Sequence, residues 1–172
     1  MILLRQTPSQ TIGPFFHFAL VSMGGDDDHP AHGQRIEISG RVLDGLRAGV
    51  PDALIELWQA GLSDAACGFA RSATDGKGGF RFRVARPRVV TDPNGGAQAP
   101  HLAVGVFARG LLKRLVTRIY LEGAPENERD LVLSLVPASR RATLVAKRQT
   151  GADRFRFDIV LQGPGETVFF DC

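Results

Sequence analysis

Helical periodicity, cysteine and long apolar runs are all scarce in this 172-residue chain, and each scarcity narrows what it can be. The two cysteines, Cys67 and Cys172, stand too far apart to read as a disulfide framework, and no Cys-x-x-Cys occurs. Reduced thiols in a cytoplasm are the expectation. The opening MILLRQTPSQ has only a short apolar start, and no apolar run approaches the roughly 20 residues that a membrane helix needs. A cytoplasmic protein without a membrane partner is therefore expected. Tyrosine and tryptophan occur once each, as Tyr120 and Trp58, and no internal repeat is visible. What is present is ordinary for one folded domain: 44% hydrophobic and 23% charged residues, enough to bury a real core.

The net charge of +3 raises the question of nucleic acid, and the placement of the basic residues answers it. Arg81, Arg83, Arg86 and Arg88 interleave with Phe80, Phe82 and Val84, as Arg154 and Arg156 do with Phe155 and Phe157. That alternation describes strands with one solvated face, so no nucleic-acid partner is expected. Lys113, Arg114 and Arg118, and then Arg140, Arg141, Lys147 and Arg148, could together draw in small anions such as an aromatic carboxylate.

Period-two patterning recurs along the chain and predicts an all-β fold, a β-sandwich of mixed or antiparallel strands with long loops. Strands are expected from Ile36, over Ala53–Leu57, Phe80–Val84, His101–Phe107, Leu115–Leu121, Thr143–Ala146 and Phe155–Leu161. Thr74–Gly79 (TDGKGG) supplies the glycines of a tight hairpin turn before Phe80, and Thr91–Gly96 supplies another turn. Only Asn127–Val136 reads as a short helix. Residues 36–172 form the sandwich domain in this reading. Residues 1–35 lack alternation and read as an arm laid over another surface, since Phe15, Phe16 and Phe18 would each gain about 1.5–3 kcal/mol on burial.

The segment Ala99–Val104 (APHLAV) has the form of a metal-binding strand with one ligand missing. Side chains two apart on a strand share a face, so His-x-His can offer two imidazoles to one ion. Here His101 is followed two places on by Ala103. The bland reading is that His101 hydrogen-bonds a neighbouring backbone group. Of the other histidines, His17, His29 and His32, the last two lie in the Gly/Asp-rich stretch 24–33, which reads as a mobile loop.

Gln98–Gly123, with its Ala-Pro-His strand, and Thr7–Phe16 (TPSQTIGPFF) resemble the intradiol ring-cleavage dioxygenases, and within them the ligand-poor α subunit of the heteromeric members. The likeness runs over most of the chain. It implies a ferric ion, Fe(III), held by two tyrosinates and two histidines, because hard Fe(III) favours anionic oxygen donors and tolerates imidazole. With one tyrosine and Ala103 in the second histidine position, one copy of this sequence cannot supply that set. The resemblance therefore assigns the Fe(III) cofactor to a partner β subunit, with no metal ligand on this chain, His101 marking a vestigial position, and this chain inactive alone. The tyrosinate-bearing segments of that subunit correspond here to the brief Gly61–Gly68 connection and to Arg86–Thr91.

The same resemblance implies that this chain contributes one wall of a pocket for a small aromatic carboxylate and O2. Thr11, Gly13, Pro14 and Phe15 match the stretch that approaches substrate: Gly13 permits close backbone approach, Pro14 fixes the chain and Thr11 offers a hydroxyl. Arg118 shares a strand face with Val116 and Tyr120, where it could reach a substrate carboxylate or an acidic residue of the β subunit. Tyr120 reads as structural. The alternative is a non-enzymatic β-sandwich module that binds a ligand or another protein, which accounts for the middle of the chain but not for its two end motifs.

Overall fold

Alternation is carried through into structure most plainly in strand β1 (Arg35–Leu43), where Ile36, Ile38 and Val42 are buried while Arg35 is exposed and Glu37, Ser39 and Arg41 are half-buried on the other face. The structure, a computed structural model, describes residues 34–60, 68–91, 96–151 and 153–171. Along them follow β2 (Leu54–Trp58), β3 (Phe69–Ala73), β4 (Gly79–Ala85), β5 (Val90–Thr91), β6 (Ala97–Gln98), β7 (His101–Phe107) and β8 (Leu115–Leu121). A 3-10 turn at Pro125–Arg129, the short helix α1 (Leu131–Leu135) and a second 3-10 turn at Arg141–Leu144 lead to β9 (Val145–Arg148), β10 (Arg154–Arg156) and β11 (Ile159–Val160). No helix among the described residues is long and apolar enough to cross a membrane.

The strands build an all-β sandwich with mixed pairing, as the patterning predicts. One wall is β4–β1–β10, with β11 extending the β10 edge of β1; the other is β8–β7–β2–β3, and β9 joins the two by pairing with both β10 and β8. Between the walls Ile36, Ile38, Phe82 and Phe155 pack in one core with Ile55, Leu57, Leu102, Val104 and Ile119. A second, smaller core of Ala99, Tyr120, Leu133, Val136 and Leu144 lies on the other side of β8.

Two local expectations are corrected. The turn Thr74–Gly79 does not close a hairpin: β3 pairs with β2, and β4 pairs with β1. The turn crosses from one wall to the other because its bonds reach both. The Thr74 hydroxyl donates to Val50 O (2.9 Å) and accepts from the Ala53 N–H (2.9 Å), while Gly78 O accepts from the Val42 N–H (2.8 Å). Asp75 stiffens it by accepting the Gly79 and Lys77 N–H groups at 2.7 and 2.8 Å, and those bonds hold its carboxyl below the usual carboxylate range. Thr143 and Leu144, expected in a strand, instead belong to the second 3-10 turn, with β9 starting at Val145.

The predicted Phe155–Leu161 strand is broken in two without losing register. Ser39 pairs with Arg156 and Val42 with Ile159, both in parallel. Between them the Asp158 carboxylate accepts the Arg41 N–H at 2.8 Å, taking the place of a backbone acceptor. Phe157 O approaches β1 so closely that a Cβ on Gly40 would stand 1.7 Å from it. Glycine is the only residue that fits there. Gly40→Ala is expected to lower the unfolding free energy by about 3 kcal/mol, read by urea denaturation, because the backbone must separate to admit the methyl group. A loss below about 1 kcal/mol would show that the β1–β10 contact yields without cost.

Candidate functional site

The outer face of the β7–β8 pair gathers the residues singled out above. In their antiparallel register His101 stands opposite Tyr120 and Ala103 opposite Arg118. Directly opposed residues lie on one side of a sheet, so the four form one cluster. Ala103 contributes a methyl group where a second imidazole would be, and the residue across from it carries a positive charge.

His101 is tied to its own chain. Its Nδ1 lies 2.8 Å from Ala99 O, and since a carbonyl only accepts, Nδ1 carries the proton. Burial pushes its pKa below the ordinary 6.5; the bond to Ala99 opposes that shift, and the Arg118 charge adds to it. The expectation of a backbone-bonded histidine agrees with this geometry.

Tyr120 is fully buried and its hydroxyl donates to Asp130 Oδ1 at 2.9 Å. Burial drives its pKa up to about 12, against the smaller opposing effect of Arg118. The phenol therefore stays protonated at neutral pH, its hydroxyl committed to the Asp130 carboxylate. Arg118 is half-buried, with Nη1 donating to Gln98 Oε1 at 2.9 Å and lying 3.4 Å from the Tyr120 hydroxyl. Its face is the expected one, but its nearest partners are neutral groups of its own chain.

Asp130 and Gln98 escaped the sequence reading. Asp130 is 1% exposed and caps α1: Oδ1 accepts the Leu133 N–H (2.7 Å) as well as Tyr120, and Oδ2 accepts the Ala99 N–H (2.8 Å). An Asp just before an apolar run, in Asp130-Leu131-Val132-Leu133, is a helix N-cap signal that was available. Gln98 carries no such signal. Thr11, Gly13, Pro14 and Phe15, together with His17, His29, His32, Cys67 and Cys172, lie outside the described residues.

Among the described residues no group of three or more His, Cys, Asp or Glu side chains could hold a metal ion. The donor chemistry at the His101 face agrees. One imidazole, a methyl group, a single phenol already bonded to Asp130 and a guanidinium are too few donors to fit Fe(III).

No family model matches the sequence. The chain is 39% identical to the protocatechuate 3,4-dioxygenase alpha chain of Burkholderia cepacia, over 99% of this chain and 100% of that one. To the alpha chain of Pseudomonas putida it is 37% identical, over 98% of each. The chain belongs to the protocatechuate 3,4-dioxygenase alpha-chain family of intradiol dioxygenases. The beta chain of the Burkholderia cepacia enzyme is more distant, 30% identical over 78% of this chain and 67% of its own length. A solved neighbour, the dioxygenase domain of a dioxygenase–carbohydrate-binding fusion from Streptomyces sp. SirexAA-E, superposes with a TM-score of 0.65 at 23% identity. The superposition covers 93% of this chain and all of that domain, so the two share a fold.

The Asp130 network makes two measurable predictions. Asp130→Ala leaves three buried or half-buried donors without their acceptor and is expected to cost about 3 kcal/mol in urea unfolding. Tyrosine in an unfolded chain ionises near 10, while Tyr120 in the fold holds its proton to about 12. Its contribution is complete below pH 10 and is lost as pH rises from 10 through about 12. The wild-type chain should therefore lose about 2 kcal/mol more than Tyr120→Phe across that interval. Parallel alkaline stability curves for the two proteins would contradict it.

Proposed function

We propose that this chain is the α subunit of a heteromeric protocatechuate 3,4-dioxygenase, in which a β subunit holds the ferric ion. The enzyme opens the ring of protocatechuate between its two hydroxyls with O2, giving 3-carboxy-cis,cis-muconate. The observation that carries this reading is Ala103 facing Arg118, two places after His101, in a chain whose sequence aligns with the alpha chains end to end. A chain of this family that cannot hold the metal has a role only beside one that can.

In this reading the chain binds and shapes rather than reacts. Residues 1–35 form an arm over the β subunit, and Thr11, Gly13, Pro14 and Phe15 wall the pocket at the subunit boundary. Pro14 and Gly13 suit that task by fixing the backbone while letting it approach a flat ligand closely. Arg118, positioned by Gln98 and Tyr120, adds positive charge for the substrate carboxylate. The assembly is cytoplasmic, where its small aromatic substrate and O2 are both available.

Co-expression with an intradiol protein that carries complete Tyr and His ligands should yield an equimolar complex on size-exclusion chromatography, with iron and ring-cleavage activity. The chain purified alone should hold no stoichiometric iron and lack a tyrosinate-to-iron absorption band. Failure of the two chains to associate would favour a stand-alone binding module. Ala103→His is also expected to remain colourless, because it restores an imidazole but no phenolate; an iron-loaded, coloured Ala103→His chain would overturn the reading.

A further inference from the structure

We propose that the depression over Ala103 and Gly105, on the outer face of the β3–β2–β7–β8 wall, binds a single-ring aromatic carboxylate. Strand register builds it. Phe69, Trp58, Ala103 and Arg118 lie in one row across the four strands, and Arg71, Glu56, Gly105 and Val116 lie in the next. Two of the central positions, Ala103 and Gly105, have almost no side chain. They leave a groove of about 190 Å³ between Trp58 and Phe69 on one side and Val116 on the other.

The walls are aromatic. Trp58 is 53% exposed, its ring 6.2 Å from that of Phe69, and both residues line the groove. Offset stacking of a second ring on an indole is worth roughly 0.5–1.5 kcal/mol beyond the area it buries.

The charge is unbalanced in one direction. Glu56 lines the groove, but Arg71 Nε holds it at 2.9 Å. Of the neighbouring cations named in the sequence, Lys113 meets Asp171 at 3.0 Å, Arg140 meets Glu166 at 3.6 Å and Lys147 meets Glu122 at 3.0 Å. Arg114 lines the groove too, with its Cδ 3.2 Å from where a Cβ on Gly105 would stand, and it has no ion-pair partner among the described residues. Its planar fork of donors suits a carboxylate.

Size sets the remaining limit. Clefts for drug-sized ligands run from about 300 to 1,000 Å³, so this one is cut for a single ring. A ring stacked on Trp58 with its carboxylate toward Arg114 satisfies the apolar wall and the unmatched cation together. This inference does not depend on where the iron is held.

Trp58 is the only tryptophan of the chain, so its emission reports on the groove directly. The full chain, without a partner, is titrated with 4-hydroxybenzoate and with neutral 4-hydroxybenzyl alcohol, and isothermal calorimetry repeats the measurement. A saturable change with the acid is expected, with affinity about tenfold weaker for the alcohol and for Arg114→Ala. Ala103→Leu should abolish binding while leaving the circular dichroism spectrum unchanged. No saturable change, or equal affinities for acid and alcohol, would overturn the proposal. So would an Arg114→Ala chain that binds the acid normally but no longer associates with an iron-bearing subunit, which would make the groove a protein contact instead.

Discussion

The carboxylate of Asp130 sits inside the protein with three donors converging on it, from the Ala99 and Leu133 backbone and the Tyr120 hydroxyl. A buried carboxylate is tolerable only when its oxygens are satisfied, and each of these donors comes from a different element. Ala99 leads into β7, Tyr120 belongs to β8 and Leu133 to α1. The single charge thus fixes the spacing of the hairpin and of the helix that covers it. Arg118 and His101 then take their places by secondary bonds: Nη1 of Arg118 reaches Gln98 and the Tyr120 hydroxyl, and His101 leans on Ala99 O beside the Tyr120 ring.

That arrangement works against a metal at the face of β7 and β8. A tyrosine becomes a ligand by losing its proton, and here burial and an acidic acceptor both work to keep it. A guanidinium opposite Ala103 adds a fixed positive charge where a trivalent cation would have to sit. The substitution of one histidine would therefore be insufficient to restore a site, because the surrounding groups have been rearranged for hydrogen bonding among themselves.

Strand content and facing were legible because period two is a local property: Ile36 and Ile38, Phe80 and Phe82, Leu102 and Val104 declare their inner face without reference to anything distant. Pairing partners were not. The Thr74–Gly79 turn has the glycines of a hairpin, but a turn dictates only a reversal of direction, and Thr74 and Gly78 spend their bonds on the chain around Val42, Val50 and Ala53. The parallel alignment of β1 with β10 and β11 is likewise a long-range fact, readable only afterwards from Gly40, the one position that lets Phe157 O come near. The burial of Asp130 was invisible for a different reason. A capping aspartate at the surface and one sealed in a core are written with the same letter, and only the second core of Tyr120, Leu133 and Leu144 distinguishes them.

Alanine at position 103 has a geometric consequence as well as a chemical one. An imidazole at position 103 would project above the sheet beside Trp58; a methyl group does not, and Gly105 next along the strand continues the gap. The space so opened lies against an exposed indole and beneath an arginine with no carboxylate to meet it among the described residues. Small side chains at the middle of a sheet usually admit a neighbouring backbone or side chain, as Gly40 does for Phe157 on the opposite wall. Over Gly105 the stem of Arg114 and the edge of the Phe107 ring partly enter, and Trp58 stays half-exposed beside them. A flat anion is the kind of body that completes such a surface, because it covers the indole and neutralises the guanidinium at once.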